Sequence, residues 1–346
     1  ILTKAKSDSL PFGVLRSDHM AVIEYQHGAW GVPTVVSYRE LPFWPGAVGL
    51  HYAQSIFEGL KAFTHTDGEL FVFRLSDHVQ RFNTSARIMG MPLLDEHLHS
   101  DLLLRLLDAD RASCPKQAGS FLYIRPFMIA TEDAVSVKPS TSYRYIAFLS
   151  PSGPYYVEGL KGITLLLTKR FKRVAIGGIG KAKTAANYGS LMPALAFARS
   201  LEAQQVLFTD TTNTFIEEAG VMNHYHVTEQ EIIIPAFTDS ILESITARSI
   251  LELGNIAGHA VIQKPILVEE FIRDLRSKKI TEAGGIGTAA IVAPVTHYVL
   301  DDGEKISVGS GMVGPVTTAL YETIRGIQEG IQPAPSGWLT KVPRSL

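Results

Sequence analysis

Short β-like runs joined by turns rather than by helices constrain this chain more than any other feature. They are expected at 20–25, 70–75, 121–124, 145–149, 162–168, 204–209 and 231–234, with more strand around Ile291 and Ile306. Helical stretches are fewer: 77–89, 95–112, 184–202, 240–253 and 315–328. Ser76 and Asp77 are good N-caps for the first helix, and Gly90 and Pro92 follow it as stop signals. Strands that follow one another through short turns pair antiparallel, so the pattern predicts an α+β chain of largely antiparallel sheets with flanking helices, not a doubly wound one. At 346 residues the chain exceeds what one core usually supports. The turn-rich, aromatic segment 151–158 is the expected interdomain loop, between a smaller N-terminal α+β domain at 1–150 and a larger C-terminal domain at 159–346.

Composition excludes several classes of function. With 46% hydrophobic and 19% charged residues the chain packs as a globular protein, and a net charge of -2 supplies no attraction towards nucleic acid or an anionic membrane. The single cysteine, Cys114, rules out an intrachain disulfide and reads as an inert thiol in a loop. No apolar run approaches the roughly 18 residues a membrane helix needs, and the start, Ile1 to Lys6, lacks a signal-peptide core. A cytoplasmic protein is expected, with a mature organellar form left open because residue 1 is not methionine. The pairs His224/His226 and His97/His99 have chelating spacing but no adjoining carboxylate pattern, so no metal is expected.

The chemistry gathers around Lys183. Gly177-Gly178-Ile179-Gly180-Lys181 imitates a phosphate-binding loop, but Ala175 stands where the first glycine belongs and Ala182 where a hydroxyl should hold magnesium. Lys183, among small residues before an apolar helix, is placed for partial desolvation, which favours the neutral amine that attacks a carbonyl. Tyr188 follows on the same segment, and Glu217-Glu218 interrupts an apolar run.

Together with other spaced motifs these residues carry a resemblance. The motifs are Pro11-Phe12-Gly13 with Asp18-His19-Met20, Leu50-His51-Tyr52, Ile56-Phe57-Glu58-Gly59-Leu60-Lys61-Ala62-Phe63, Phe73-Arg74-Leu75 with Arg81, and Leu122-Tyr123-Ile124-Arg125-Pro126. They continue through 183–190, 217–223 and Gly285-Ile286-Gly287-Thr288-Ala289. In this order the chain resembles the branched-chain amino acid aminotransferases, pyridoxal-phosphate enzymes of fold type IV, over nearly its whole length. The resemblance implies that Lys183 forms the Schiff base with pyridoxal 5'-phosphate, standing four residues before Asn187, a spacing that Lys181 does not have. It implies that Glu218 bonds the pyridine nitrogen and Tyr188 the phenolic oxygen, and that Arg81, Ile245, Thr246 and Thr288 hold the phosphate. Tyr123 and Arg125 would recognise the distal carboxylate of glutamate. Phe12, Tyr52, Tyr155, Thr288 and Ala289 would line the substrate pocket, with Val137 entering from the partner of a homodimer. The implied reaction transfers the amino group of leucine, isoleucine or valine to 2-oxoglutarate by a ping-pong exchange.

Rival readings keep the fold and change the reaction: a D-amino acid aminotransferase or an aminodeoxychorismate lyase. The pair Tyr123-x-Arg125, the block before Asp18 and the overall length favour the branched-chain group. A non-catalytic binding protein would have no physical reason to keep Lys183, Glu218, Arg81 and Thr288 together. Val221 stands where many relatives have threonine, Ser244 where the usual residue is glycine, and Ala290 and Ala293 replace the cysteine pair of the mammalian enzymes.

Overall fold

A computed structural model describes residues 10–156 and 159–344. Ile1 to Lys6, and residues 157 and 158 of the expected interdomain loop, lie outside the described residues. The chain divides into two compact units. Among the described residues the first takes 10–155, 182–186 and 326–344, and the second takes 156, 159–181 and 187–325. Thus 182–186, carrying Lys183, and 326–344 pack with the first unit, where the sequence boundary had placed them in the second domain.

The first unit is built on a sheet of nine strands among the described residues, paired antiparallel throughout. Its order runs Leu339–Lys341, Leu70–Phe73, Leu60–Thr64, Phe121–Ala130, Tyr143–Ser152, His19–Gln26 and Ala29–Trp30. Thr34–Ser37 pairs with His19–Gln26, and Ser55–Phe57 with Phe121–Ala130. Alternation along Phe121–Ala130 sorts its two faces. Leu122, Ile124 and Met128 join Phe82, Leu102, Leu103, Leu106 and Leu107 from the helices Leu75–Ile88 and Glu96–Ala109 in one core. Each such burial contributes about 1.5–3 kcal/mol. Phe121, Tyr123 and Arg125 fall on the opposite face.

The second unit has ten strands among the described residues. Ile216–Ala219 pairs with both Gln205–Thr209 and Met222–Val227, so six strands close into a ring through Ile163–Thr168, Ile291–Leu300 and Glu282–Gly287. A closed ring leaves none of its six members as an exposed edge. Three pairings are parallel: Gln205–Thr209 with Ile163–Thr168, Ile291–Leu300 with Ile163–Thr168, and Glu231–Pro235 with His259–Lys264. Leu165 and Leu167 pack into one apolar cluster with Phe271 and Tyr298, while Leu166 faces Leu191, Ala194 and Ala198 of a crossover helix.

Several boundaries differ from the sequence expectation. The first helix starts at Leu75, capped by Arg74 in the left-handed region at φ 55 rather than by Ser76 or Asp77, and Asp77 instead accepts a bond from Arg74 Nε at 2.5 Å. The single helix expected at 184–202 is two, Ala185–Gly189 and Leu191–Ser200. Pro193 has no N–H to donate to the carbonyl of residue 189, so it is accommodated in the first turn of a new helix. The helix expected from 240 starts at Ile245, because the residues before it bond to buried side chains described below. No helix among the described residues is long and apolar enough to cross a membrane.

Candidate active site

Within the first unit Lys183 is fixed by its backbone. Its N–H donates to Ser85 Oγ at 2.9 Å, its carbonyl accepts from Phe57 N at 2.9 Å, and Thr184 bridges Ile56 while its hydroxyl donates to Ser55 O at 2.7 Å. The segment thereby lies antiparallel beside the Ser55–Phe57 strand, and the half-buried amine stands over the Phe57 ring, 5.0 Å from its centre. Arg125 stacks on the same ring at 4.8 Å and donates to the Tyr123 hydroxyl at 2.8 Å. Tyr123 meets Phe12 edge-on, with ring centres 4.9 Å apart. Gly59 is needed here, since a Cβ on it would lie 2.1 Å from the Tyr123 hydroxyl. Phe12, Tyr123, Arg125, Phe57 and Lys183 therefore form one continuous line of contacts.

Beneath this line lies Glu58, 0% exposed. Its Oε1 accepts from Arg81 Nε at 2.7 Å, and its Oε2 from Arg81 Nη2 at 2.9 Å and from the Gly59 N–H at 3.2 Å. His78 Nδ1 lies 2.8 Å from the same Oε2. Burial alone would push the carboxyl up, but the Arg81 charge, and then the bond and charge of His78, hold it well below the usual carboxylate range. Burial pushes His78 down. Since an ionised carboxylate only accepts, Nδ1 of His78 carries the proton.

Within the second unit Glu217 and Glu218 are both buried, on opposite faces of the strand Ile216–Ala219. Glu218 accepts from the Leu242 amide, and Arg173 Nε lies 3.3 Å from its other oxygen. The Arg173 guanidinium is itself buried and donates to the carbonyls of Ser240 and Gly180. Glu217 accepts from the Ser240 hydroxyl, and burial pushes its carboxyl up. Asn223, cross-strand from Glu218, donates to Leu242 O at 2.9 Å and accepts from Ser244 N at 3.0 Å. Ser244 then caps the helix Ile245–Leu253 by accepting from Ala247 N at 3.2 Å. The loop before this helix is thus shaped by the carboxylate and its arginine, and leads to amides suited to an anion.

Residues 55–298 match the profile of the family described as amino-transferase class IV. Branched-chain-amino-acid transaminase 1 of Bacillus subtilis (strain 168) is 38% identical over 342 residues, 98% of this chain and 96% of that protein. The chain belongs to the class IV aminotransferases. Among solved structures, the branched-chain amino acid aminotransferase of Escherichia coli gives a TM-score of 0.78 at 25% identity, covering 95% of this chain and 100% of its own. The T.th. branched-chain amino acid aminotransferase with pyridoxamine 5'-phosphate gives 0.75 at 25% identity, covering 93% and 99%.

Enzymes of this family use pyridoxal phosphate, and this aminotransferase has side chains that fit it. The first unit offers a half-buried lysine and an oriented guanidinium, and the second a buried carboxylate with an arginine counter-charge and a capped helix N-terminus, groups of the chemical kinds that a carbonyl, a phosphate and a ring nitrogen call for. Ile245 and Thr246 are buried at the start of their helix. Thr288 and Ala289 are half-buried in the turn between Glu282–Gly287 and Ile291–Leu300, and Tyr188 is half-buried beside the crossover-helix cluster. Lys181 is ion-paired with Asp239 at 3.0 Å, on exposed side chains. Phe12, Tyr52 and Tyr155 are exposed, and Val137 is 85% exposed.

Among the described residues no group of three or more His, Cys, Asp or Glu could hold a metal. His224 and His226 are buried against Phe271. Cys114 is buried, which pushes its thiol up.

Sequence reasoning gave no role to Glu58, His78 or Arg173. A lone acid within the apolar run 56–63 was the available signal for Glu58, and the three-residue spacing of His78 and Arg81 on one helix face was the signal for His78. Arg173 sits in Lys169-Arg170-Phe171-Lys172-Arg173, which reads as a solvated charge run.

Proposed function

We propose that the chain is a branched-chain aminotransferase, passing the amino group of L-leucine, L-isoleucine or L-valine to 2-oxoglutarate and releasing branched 2-oxo acids and L-glutamate. The observation that carries the reading is the line from Lys183 through Phe57 and Arg125 to Tyr123 and Phe12. It sets an amine beside a cationic and aromatic recognition surface, in a chain 38% identical to a branched-chain transaminase.

Pyridoxal phosphate, when bound, accepts the electrons released as the substrate Cα loses its proton. Lys183 Nζ would hold the cofactor through its carbonyl carbon and, once released, would serve as the acid–base group for the substrate Cα proton. Glu218 would keep a proton on the pyridine nitrogen, and Arg173 with the Leu242 amide holds that carboxylate in place. Tyr188 donates to the phenolic oxygen. Arg81, the amides of Ile245 and Thr246, and the Thr288 hydroxyl are the groups that would bind the phosphate. Arg125 and Tyr123 receive the distal carboxylate of glutamate, while Phe12, Tyr52, Tyr155 and Ala289 surround an aliphatic side chain. The same residues serve both half-reactions, which makes the exchange ping-pong.

The exposure of Val137 supports a homodimer in which its segment enters the partner's pocket; a monomer by light scattering would contradict that. Bacterial relatives support a cytoplasmic enzyme.

Purified protein given the cofactor is expected to show a visible band that leucine removes. Lys183→Ala should abolish both band and turnover, while Lys181→Ala retains them. Turnover of D-amino donors in place of leucine, isoleucine and valine, or loss of activity only in Lys181→Ala, would overturn the reading.

A further inference from the structure

We infer that Glu58 is a positioning residue for Arg81, fixing the plane of its guanidinium and hence the direction from which it meets the cofactor phosphate. The inference rests on the reading of Arg81 as a phosphate ligand. Glu58 engages the Nε and Nη2 edge of the guanidinium side-on, at 2.7 and 2.9 Å. Two bonds in one plane remove rotation about the Cδ–Nε bond, so the edge formed by Nη1 and Nη2 has a set direction. The carboxylate is itself held, by His78 at 2.8 Å and by the Gly59 amide at 3.2 Å.

The placement ties this fork to the lysine. Glu58 follows Phe57, whose amide donates to the Lys183 carbonyl, and Arg81 shares the helix Leu75–Ile88 with Ser85, whose hydroxyl accepts from the Lys183 amide. One strand end and one helix thereby fix the arginine and the lysine together. A buried ion pair is a poor device for stability alone, because desolvation offsets its attraction. Glu58, 0% exposed and satisfied by Arg81, His78 and Gly59, instead gives Arg81 a single orientation.

The test compares dissociation constants for pyridoxal 5'-phosphate and for pyridoxal, which lacks the phosphate, in the wild type, Glu58→Gln, Glu58→Asp and Arg81→Ala. Folding is checked by circular dichroism, and the phosphorus NMR resonance of bound cofactor is recorded. Both Glu58 variants should weaken binding of the phosphorylated ligand about tenfold, by analogy with the lower end of the loss seen when the partner orienting a metal-binding side chain is removed. They should leave pyridoxal binding unchanged and shift the phosphorus resonance. Glu58→Asp keeps the charge and shortens its reach, so it decides the matter if Glu58→Gln fails to fold. If Arg81→Ala loses phosphate selectivity while Glu58→Asp binds both ligands as the wild type does, or loses both equally, the inference falls and the reading of Arg81 stands. If Arg81→Ala itself shows no phosphate-selective loss, the reading beneath it fails.

Discussion

At the residue scale, several buried polar groups face apolar surroundings. His99 packs edge-on against Phe82 and Tyr145, at 4.9 and 5.0 Å between ring centres, and neither ring nitrogen has a hydrogen-bond partner among the described residues. Burial pushes His99 down to about 3 and His226 down to about 3, and pushes His224 well below the ordinary histidine value. The folded chain therefore keeps all three neutral, whereas the unfolded chain protonates them below about pH 6.5. Between about 6.5 and about 3 the unfolded state binds more protons, so stability falls as pH falls through that window. Replacing His99 by Phe should make the drop in melting temperature between pH 7 and pH 5 smaller than in the wild type; an equal drop would show that His99 contributes nothing to acid sensitivity. Candidate site residues were legible in unequal measure. Lys183 and Glu218 could be singled out because spaced motifs fixed their positions. Arg173 could not, because a buried arginine inside a basic run differs from a solvated one only through partners distant in sequence.

At the element scale, the helix Ile245–Leu253 shows how a short loop serves packing and chemistry together. Its Ser244 cap satisfies the Ala247 amide by side chain, and Asn223 holds the Ser244 amide. Ser244→Ala should cost about 0.5–2 kcal/mol in urea unfolding. An unchanged midpoint would mean that solvent satisfies the amide equally well. The helix was visible in sequence as an apolar period, yet its start was not, since residues 240–243 have helical composition. What draws them out of a helix is the demand of Arg173, Glu217 and Glu218 for Ser240 and Leu242. The antiparallel first sheet followed from turns between successive strands. Of the three parallel pairings of the second unit, Ile163–Thr168 with Gln205–Thr209 was foreshadowed by the strand–helix–strand pattern at 162–209, whereas Ile291–Leu300 joins Ile163–Thr168 from far along the chain, and no local pattern records it.

On the scale of the whole molecule, the C-terminal segment completes the first unit. Trp338 is buried against Phe73, with ring centres 5.7 Å apart, and the Arg74 guanidinium stands 4.7 Å from its ring centre. The Trp338 carbonyl accepts from Arg74 N at 2.7 Å, directly before the strand Leu339–Lys341. Trp338→Ala should cost about 3–5 kcal/mol, read as a lower urea midpoint; a loss under about 1 kcal/mol would show that the segment is peripheral to the first unit. The arrangement also sets an order in time. A ribosome makes residues 10–155 first, yet the sheet they form is still missing the strand near residue 340, and the strand end at Phe57 still lacks Lys183. The nascent first unit must therefore wait, with the Leu70–Phe73 edge unpaired, until Leu339–Lys341 emerges. Folding of this half thus spans the synthesis of the whole second unit, and chaperone dependence is the natural place to look for the result.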